Sequence, residues 1–154
     1  MKPRITTLII GPLFTLAERD FNVALATALE RQGRGRLTVT LPQIETEKFR
    51  KGDQDDLEAT WRDRESNVVN HEVVIAILDG ADCDSGTCYE LGYRVCTGGI
   101  TIGVRTDFRQ SESGSPVNAM LTGVTEMVCL SSPEATVVEL ATRIIQAIDN
   151  HRRL

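Results

Sequence analysis

Short apolar runs alternate along this chain with longer amphipathic segments, and this alternation limits the possible folds more than any other feature. The runs are too short for ordinary helices and are typical of strands buried on both faces of a sheet. Amphipathic segments between them have the spacing of helices. This order predicts a parallel sheet covered by helices on both faces. The predicted strands are Ile5 to Ile10, Leu37 to Leu41, Val73 to Leu78, Ile100 to Val104 and Glu126 to Leu130.

The predicted helices differ in how clearly the sequence signals them. Phe21 to Leu29 carry a clear apolar stripe between the first two strands. Residues 45–65 are charged and poorly patterned, and a helix is expected there over Asp56 to Val69. The last helix is expected to begin with Ser132 as its N-cap and Pro133 at its first position, because these residue types favour helix starts.

Composition limits the partners that the chain can have. Its 154 residues, 41% hydrophobic and 25% charged, suffice for one core and predict a single domain over residues 1–154. The formal net charge of −5 argues against a nucleic acid polymer, which needs a clustered basic face. The first apolar run is too short to span a bilayer and lacks signal-peptide architecture. We therefore expect a cytoplasmic protein with a small ligand and no membrane contact.

Metal sites and catalytic triads find little support in the sequence. The chain has 4 cysteines and 2 histidines, and no cysteine pair has Cys-x-x-Cys spacing. Reduced thiols that pack near the core are the favoured interpretation. A Ser-His-Asp triad is disfavoured because Ser85 lacks a nucleophile-elbow context and His151 lies in the C-terminal tail. We expect neither a metal nor an organic cofactor.

Acidic residues are concentrated after the third predicted strand. Asp79, Asp82 and Asp84 follow it, and Glu90 is expected in the first turn of the helix that begins near Gly86. Parallel sheets bind ligands at the carboxyl ends of their strands. A helix N-terminus favours an ionised carboxylate by roughly 0.3 to 1 kcal/mol, and such a carboxylate can act as a nucleophile. Because like charges repel, this density of acids indicates a functional site.

A structural role for the same residues remains open at this point. Thr87 and Glu90 have the spacing of a capping box, in which the glutamate bonds back to the backbone of the cap residue. Asp84 or Ser85 could equally be the N-cap. The spacing alone does not separate these alternatives from a catalytic role.

The same loop resembles that of the nucleoside 2-deoxyribosyltransferases. The resemblance rests on Leu78-Asp79-Gly80 and on Asp84-Ser-Gly-Thr-Cys-Tyr-Glu-Leu-Gly-Tyr93. It continues in other segments of the chain, namely Gly11 to Thr15 with Ala17-Glu-Arg19, Leu41 to Gln43, Asp107 to Arg109, and Asn118 to Leu121. It implies an α/β fold, a flavodoxin-like or Rossmann-like three-layer sandwich with a five-stranded parallel sheet in the order 2-1-3-4-5.

The resemblance also implies an activity. Enzymes of this family move a 2-deoxyribosyl group between nucleobases in nucleoside salvage, without a metal or organic cofactor. The implied substrates are 2'-deoxynucleosides and free nucleobases. Glu90 would be the nucleophile that forms a covalent deoxyribosyl ester, and two inversions would give net retention with ping-pong kinetics.

Roles for the other site residues follow from the same resemblance. Asp84 would bind the 5'-hydroxyl of the sugar, and Asn118 would do so from a neighbouring subunit, which implies a homo-oligomer. Asp63 would assist departure of the base, with Glu65 as the competing candidate. The residues that would rest against the sugar or the base are Gly11, Phe14, Gln43 and Asp107.

The residues themselves leave simpler interpretations open. Asp84 could only cap a helix and Asn118 could only close a turn. Phe14 could belong to the core, and Asp107 could only pair with Arg105 or Arg109. Arg94 stands where the family usually has a small residue, and we expect it to be a surface change.

Two other functions compete with transfer. A nucleoside 5'-monophosphate N-glycosidase would deliver the sugar to water, but Asp84 would repel its phosphate by about 4 kcal/mol at 4 Å and an effective dielectric of 20. Asp84 and Asn118 therefore favour a free nucleoside. A non-catalytic nucleotide-binding module is the other alternative, and the intact Glu90 argues against it.

Overall fold

The structure is a computed structural model that describes residues 4–45, 50–51, 54–110, 114–130 and 132–152. Its strands are β1 (Ile5–Ile10), β2 (Leu37–Thr40), β3 (Arg50–Lys51), β4 (Gln54–Asp55), β5 (Val73–Ile77), β6 (Ile100–Arg105) and β7 (Glu126–Cys129). Its α-helices are α1 (Leu16–Gln32), α2 (Pro42–Glu45), α3 (Leu57–Asn70), α4 (Ser85–Cys96) and α5 (Val137–His151), and a 3-10 helix covers Ala119–Leu121.

Five strands form one sheet in the order β2-β1-β5-β6-β7, and every neighbouring pair is parallel. Counted without the short β3-β4 pair, this is the predicted order 2-1-3-4-5, which is confirmed. In the middle of the sheet Ile75 lies between Ile9 and Ile102. The strand order reverses between β1 and β5, which is where sheets of this kind open a crevice for ligands.

Helices cover both faces of the sheet, because successive strand residues point to opposite sides. Ile9 and Ile75 pack in a buried cluster with Leu25 of α1 and Ile144 of α5. Leu8, Val74 and their neighbours pack on the other face with Val68 of α3 and Leu91 of α4. The predicted three-layer arrangement is confirmed. Within the described residues, no helix combines the length and the apolar character needed to cross a bilayer.

The start of the last helix differs from the prediction. Helix α5 begins after Thr136, whose hydroxyl accepts a hydrogen bond from the backbone N–H of Glu139 at 3.1 Å. Ser132 instead opens a turn, since its carbonyl oxygen accepts from the N–H of Ala135 at 2.9 Å. The prediction of Ser132 as N-cap was wrong because a second cap residue, with a glutamate three positions later, lies nearer the apolar stripe.

Arg94 is not a surface change but a buried connection between α3, α4 and β5. Arg94 is buried, with 7% of its surface exposed. The guanidinium donates to the carbonyl oxygens of Val69 at 3.1 Å, His71 at 2.6 Å and Glu72 at 3.0 Å. These carbonyls lie where α3 ends and β5 begins. The cation therefore satisfies backbone acceptors that burial would otherwise leave without donors.

Replacing Arg94 by Ala should lower the free energy of unfolding by about 3 kcal/mol, because buried carbonyl oxygens would lose a charged donor. Urea denaturation followed by circular dichroism measures this change. The control is Arg62→Ala, since the Arg62 side chain is 71% exposed and pairs with Glu58 one helix turn away. That control should change the free energy by less than about 0.5 kcal/mol. Equal effects of the two substitutions would contradict this account of Arg94.

Candidate active site

A cavity of about 330 Å³ lies at the carboxyl end of β1, on the face of the sheet covered by α3 and α4. We call it the glutamate cavity. Its volume is at the lower end of the range for small-molecule sites. Its polar and aromatic lining residues come from the turn after β1, from α3 and from α4, and they include Phe14, Thr60, Trp61, Arg64, Asp84, Thr87, Tyr89 and Glu90.

Gly11 lets the turn after β1 form one wall of this cavity. A Cβ atom at this position would lie 2.8 Å from the Cβ of Ile77, closer than real Cβ atoms approach. The lack of a side chain therefore permits the backbone of the turn to lie against β5. Gly11 and Phe14 both line the cavity. Phe14 is 70% exposed, so it does not belong to the core.

Asp84 fixes the start of α4. Its Oδ2 accepts hydrogen bonds from the backbone N–H of Thr87 at 2.8 Å and from the Thr87 hydroxyl at 2.9 Å. Of the open alternatives, the structure therefore shows Asp84 as the N-cap. It also lines the glutamate cavity. The capping role and a ligand role are compatible, since the cap bonds use one carboxylate oxygen.

Glu90 lies in the second turn of α4, not in the first turn as expected, because the helix begins at Ser85. Its half-buried carboxyl group lines the cavity, and it has no hydrogen-bond partner within the described part of the chain. The capping-box interpretation of Glu90 was therefore wrong. The carboxyl group is free to meet a ligand.

The electrostatics of Glu90 also differ from the expectation. Burial raises the pKa of the carboxyl group to about 7, which the nearby Arg64 opposes and the nearby Asp84 reinforces. A helix N-terminus was expected to favour the ionised form. That effect is weak here because Glu90 is one turn further along and the Thr87 N–H is occupied by Asp84. Loss of hydration therefore outweighs the helix dipole.

One face of α3 forms the next wall. Thr60, Trp61 and Arg64 line the cavity, as residues three and four apart share one side of a helix. Asp63 and Glu65 point elsewhere. Asp63 accepts a hydrogen bond from the Asn67 side chain at 3.0 Å, and Glu65 accepts one from the Tyr89 hydroxyl at 2.5 Å. The structure does not bring either acid to the cavity wall.

The sequence analysis did not identify Arg64, the cation of this wall. Its Nη2 donates to the carbonyl oxygen of Pro42 over 3.4 Å. Its Nη1 is buried and has no hydrogen-bond partner among residues 4–45, 50–51, 54–110, 114–130 and 132–152. The buried Val68, four residues later, shares its side of α3 and could have indicated that Arg64 faces inward. The charged composition of this segment obscured the pattern.

Besides Asp63, three predicted site residues lie outside this cavity. The Gln43 amide is bonded on both sides to α1, accepting from Asn22 at 3.1 Å and donating to the Arg19 carbonyl at 3.0 Å. Asn118 is exposed and accepts from the N–H of Met120 at 2.9 Å, which closes a turn. The third residue, Asp107, lies on the opposite face of the sheet.

A second cavity, of about 430 Å³, opens on that opposite face and is lined by Asp79 and Asp107. Asp79 accepts from the backbone N–H groups of Thr106 at 2.6 Å and Asp107 at 2.9 Å. The Arg109 guanidinium donates to Asp107 and holds the pKa of that carboxyl group well below its usual value. The acids after β5 are therefore divided between the two faces, and those here are tied into local structure.

The described residues do not form a recognisable metal site. No group of three or more histidine, cysteine, aspartate and glutamate side chains among them is arranged to hold an ion. Cys83 donates through its thiol to the carbonyl oxygen of Leu78 at 3.2 Å. Burial raises the pKa of this thiol to about 11, so it stays protonated near neutral pH.

Comparison with known proteins identifies the family of this chain. The family model described as nucleoside 2-deoxyribosyltransferase matches residues 9–120. The chain belongs to this family. The matched residues contain the turn after β1, all of α3 and all of α4. In this member of the nucleoside 2-deoxyribosyltransferase family, the half-buried Glu90 lies within the matched region. A search of curated proteins found no match.

Solved structures with the same fold include two enzymes and a protein described as conserved. A conserved protein from Enterococcus faecalis aligns with a TM-score of 0.74 at 20% identity, over 93% of this chain and 98% of its own. A 2-desoxiribosyltransferase from Leishmania mexicana aligns with a TM-score of 0.60 at 20% identity, over 90% and 97%. A CMP N-glycosidase from Clostridium botulinum aligns with a TM-score of 0.57 at 13% identity, over 94% of this chain and 98% of its own. At these identities the likeness shows the fold.

Proposed function

We propose that this family member transfers a 2-deoxyribosyl group between nucleobases, with Glu90 as a covalent nucleophile. The observation that carries the proposal is the state of Glu90, which lines the cavity at the strand-order reversal and makes no hydrogen bond within the described residues. A structural carboxylate would be expected to have donors around it, as Asp79 and Asp107 have.

The proposed reaction has two displacements. A Glu90 oxygen attacks the anomeric carbon, and the carbon–nitrogen bond breaks with its electron pair going to the departing base. The entering base then attacks the same carbon, and the electron pair of the ester bond returns to Glu90. Two inversions give net retention, as in retaining glycosidases. A carboxylate with a pKa of about 7 is a stronger nucleophile than an ordinary one and is still partly ionised at neutral pH.

The cavity suggests how the sugar is held. The Asp84 oxygen that does not cap α4 is available to the 5'-hydroxyl, and Gly11 with Phe14 forms the turn beside the sugar. Asn118 is exposed and outside the cavity, which is compatible with donation to a neighbouring subunit of a homo-oligomer. The proposed contacts of Gln43 and Asp107 with the base, and base protonation by Asp63, would require rearrangement of the bonds described above.

Hydrolysis of nucleoside 5'-monophosphates is the second candidate, because the Clostridium botulinum CMP N-glycosidase has the same fold. Among the described residues, the glutamate cavity is lined by the carboxyl groups of Asp84 and Glu90 and by the guanidinium of Arg64. A phosphate dianion would be repelled by both carboxylates when they are ionised. We therefore favour the free nucleoside as substrate.

Chromatography of reaction mixtures tests the proposal. The protein is incubated with deoxyinosine plus adenine, with thymidine plus cytosine, and with a deoxynucleoside 5'-monophosphate alone. A new nucleoside without much free sugar supports transfer. Free base and sugar phosphate from the monophosphate alone would instead assign the hydrolase. If no substrate is consumed in any mixture, both enzyme proposals fail and a binding module remains.

A further inference from the structure

The cavity wall formed by α3 carries the guanidinium of Arg64, which has no role in the reaction as described so far. Resting on the proposed function, we propose that Arg64 binds a pair of acceptor atoms at the edge of the nucleobase and so selects 6-oxopurines, hypoxanthine and guanine, over the 6-aminopurine adenine. This makes Arg64 a specificity-determining residue of the base site.

The first reason is the incomplete bonding of Arg64. Its Nη1 is buried and lacks an acceptor within the described part of the chain, and its Nη2 reaches the Pro42 carbonyl oxygen only over 3.4 Å. A buried guanidinium N–H without an acceptor is costly, and most such groups in folded proteins are paired. Arg64 lines the cavity, and a ligand there that carries acceptors would supply the missing partner once the guanidinium turns toward it.

The second reason is the order of groups along the cavity. In the proposed reaction Glu90 meets the anomeric carbon and Asp84 meets the 5'-hydroxyl, so the sugar spans these two residues of α4. The base extends from the anomeric carbon away from the 5' side. The wall that remains is that of α3, where Trp61 offers a large aromatic surface beside Arg64. Aromatic rings and guanidinium planes are common partners of unstacked bases.

A phosphate group fits this wall less well. Anion sites combine several donors, for example the free N–H groups at a helix N-terminus. Here the Thr87 N–H at the start of α4 is already bonded to Asp84. Asp84 and Glu90 add negative charge to the same cavity. A neutral base with two acceptors meets the guanidinium without this repulsion.

The preference among bases follows from the donor-only character of arginine. Hypoxanthine and guanine present two neighbouring acceptors, O6 and N7, which match the fork of a guanidinium. Adenine presents N7 beside an amino group, and that amino group would place a donor against a donor. We expect a preference of roughly 10- to 100-fold for the 6-oxopurines, as for arginine contacts to base edges.

The same contact assists bond breaking. As the carbon–nitrogen bond breaks, the electron pair enters the purine ring and negative charge develops on N7 and O6, where Arg64 would stabilise it. The guanidinium keeps its proton throughout. The departed base takes a proton from solvent, and the entering base gives one up. An acid on α3 is not required for this route.

Three substitutions test the role of Arg64. Gln in place of Arg64 offers one donor and one acceptor, which match adenine, whereas Lys keeps the charge without the planar fork. The matched control is Arg62→Gln, which changes an exposed arginine two residues away on the same helix. Each protein is assayed by isotope exchange of a deoxynucleoside with its own labelled base, using deoxyinosine, deoxyguanosine and deoxyadenosine. Thermal unfolding verifies that each variant is folded.

Wild type and Arg62→Gln should exchange the 6-oxopurines at least about tenfold faster in kcat/KM than adenine. Arg64→Gln should reverse the order, and Arg64→Lys should retain exchange with a weakened preference. Calorimetry with free hypoxanthine and adenine gives a readout that does not depend on exchange, and wild type should bind hypoxanthine more tightly. Exchange with an unchanged base ratio in folded Arg64→Gln would overturn the inference and leave the proposed function standing. Absence of exchange in wild type, with hypoxanthine still preferred in calorimetry, would overturn only the proposed function.

Discussion

Replacing Glu90 by Gln is expected to reduce base exchange by about 1,000-fold or more, because the amide cannot form the covalent ester. The substitution keeps the size of the side chain, so the fold should be retained. Exchange between deoxyinosine and labelled hypoxanthine measures the loss. Residual exchange should come only from binding the two substrates in one cavity.

The control for this variant is Asp82→Asn, which removes an exposed acid from the same loop without touching the cavity. Its exchange rate should stay within about threefold of wild type, as expected for a surface substitution. A Glu90→Gln protein that exchanges bases as fast as Asp82→Asn would remove the nucleophile from the proposal. The circular dichroism spectrum of each variant is recorded as well. A lost spectrum identifies misfolding, and an unchanged spectrum with lost exchange identifies a loss of chemistry.

The second large effect is on pH dependence. The kcat/KM for base exchange should fall about tenfold per pH unit well below pH 7, since only ionised Glu90 attacks and burial raises its pKa to about 7. At pH 5 the rate should therefore be about 1% of its plateau. A profile with its acidic midpoint near the ordinary carboxyl value of 4.5 would contradict the burial of Glu90.

The same pKa predicts how Glu90 affects stability. Below pH 4.5 the carboxyl group is protonated in both folded and unfolded chains, so it contributes no difference. Between 4.5 and about 7 the unfolded chain ionises first, and the folded state loses stability as pH rises. The cost, at most about 3 kcal/mol, is complete above pH 7. Glu90→Gln should therefore gain stability over wild type at pH 8 and gain little at pH 4, as measured by urea denaturation.

Much of the fold could be predicted because each central strand is buried on both faces. Val73 to Leu78 form an unbroken apolar run, and such a run has few alternatives to a strand in the middle of a parallel sheet. Strand ends differed from prediction by a residue or so, as assignment of boundaries usually does. The first choice of cap for α5 failed because Ser132 and Thr136 both have the residue type of an N-cap.

The candidate site was only partly predictable. The position of Glu90 followed from its place after a buried strand, but its pKa depends on packing that sequence does not show. On α3 the sequence did not indicate which side chain faces the cavity, because a charged helix with few buried residues gives a weak pattern. Asp63 was named, while Arg64 is the residue that lines the cavity. The role proposed for Asn118 depends on contacts between subunits, and the pattern of residues along one chain does not indicate which surfaces meet in an oligomer.

Mass spectrometry of the acid-quenched, digested protein tests the covalent step most directly. The protein is mixed with deoxyinosine without an acceptor base, quenched in acid within one turnover, and digested. We expect a mass increase of one deoxyribosyl group, located on the peptide that contains Glu90, and its disappearance when hypoxanthine is added before the quench. Exchange that proceeds without any adduct, or an adduct on a different residue, would contradict the assignment of Glu90 as nucleophile.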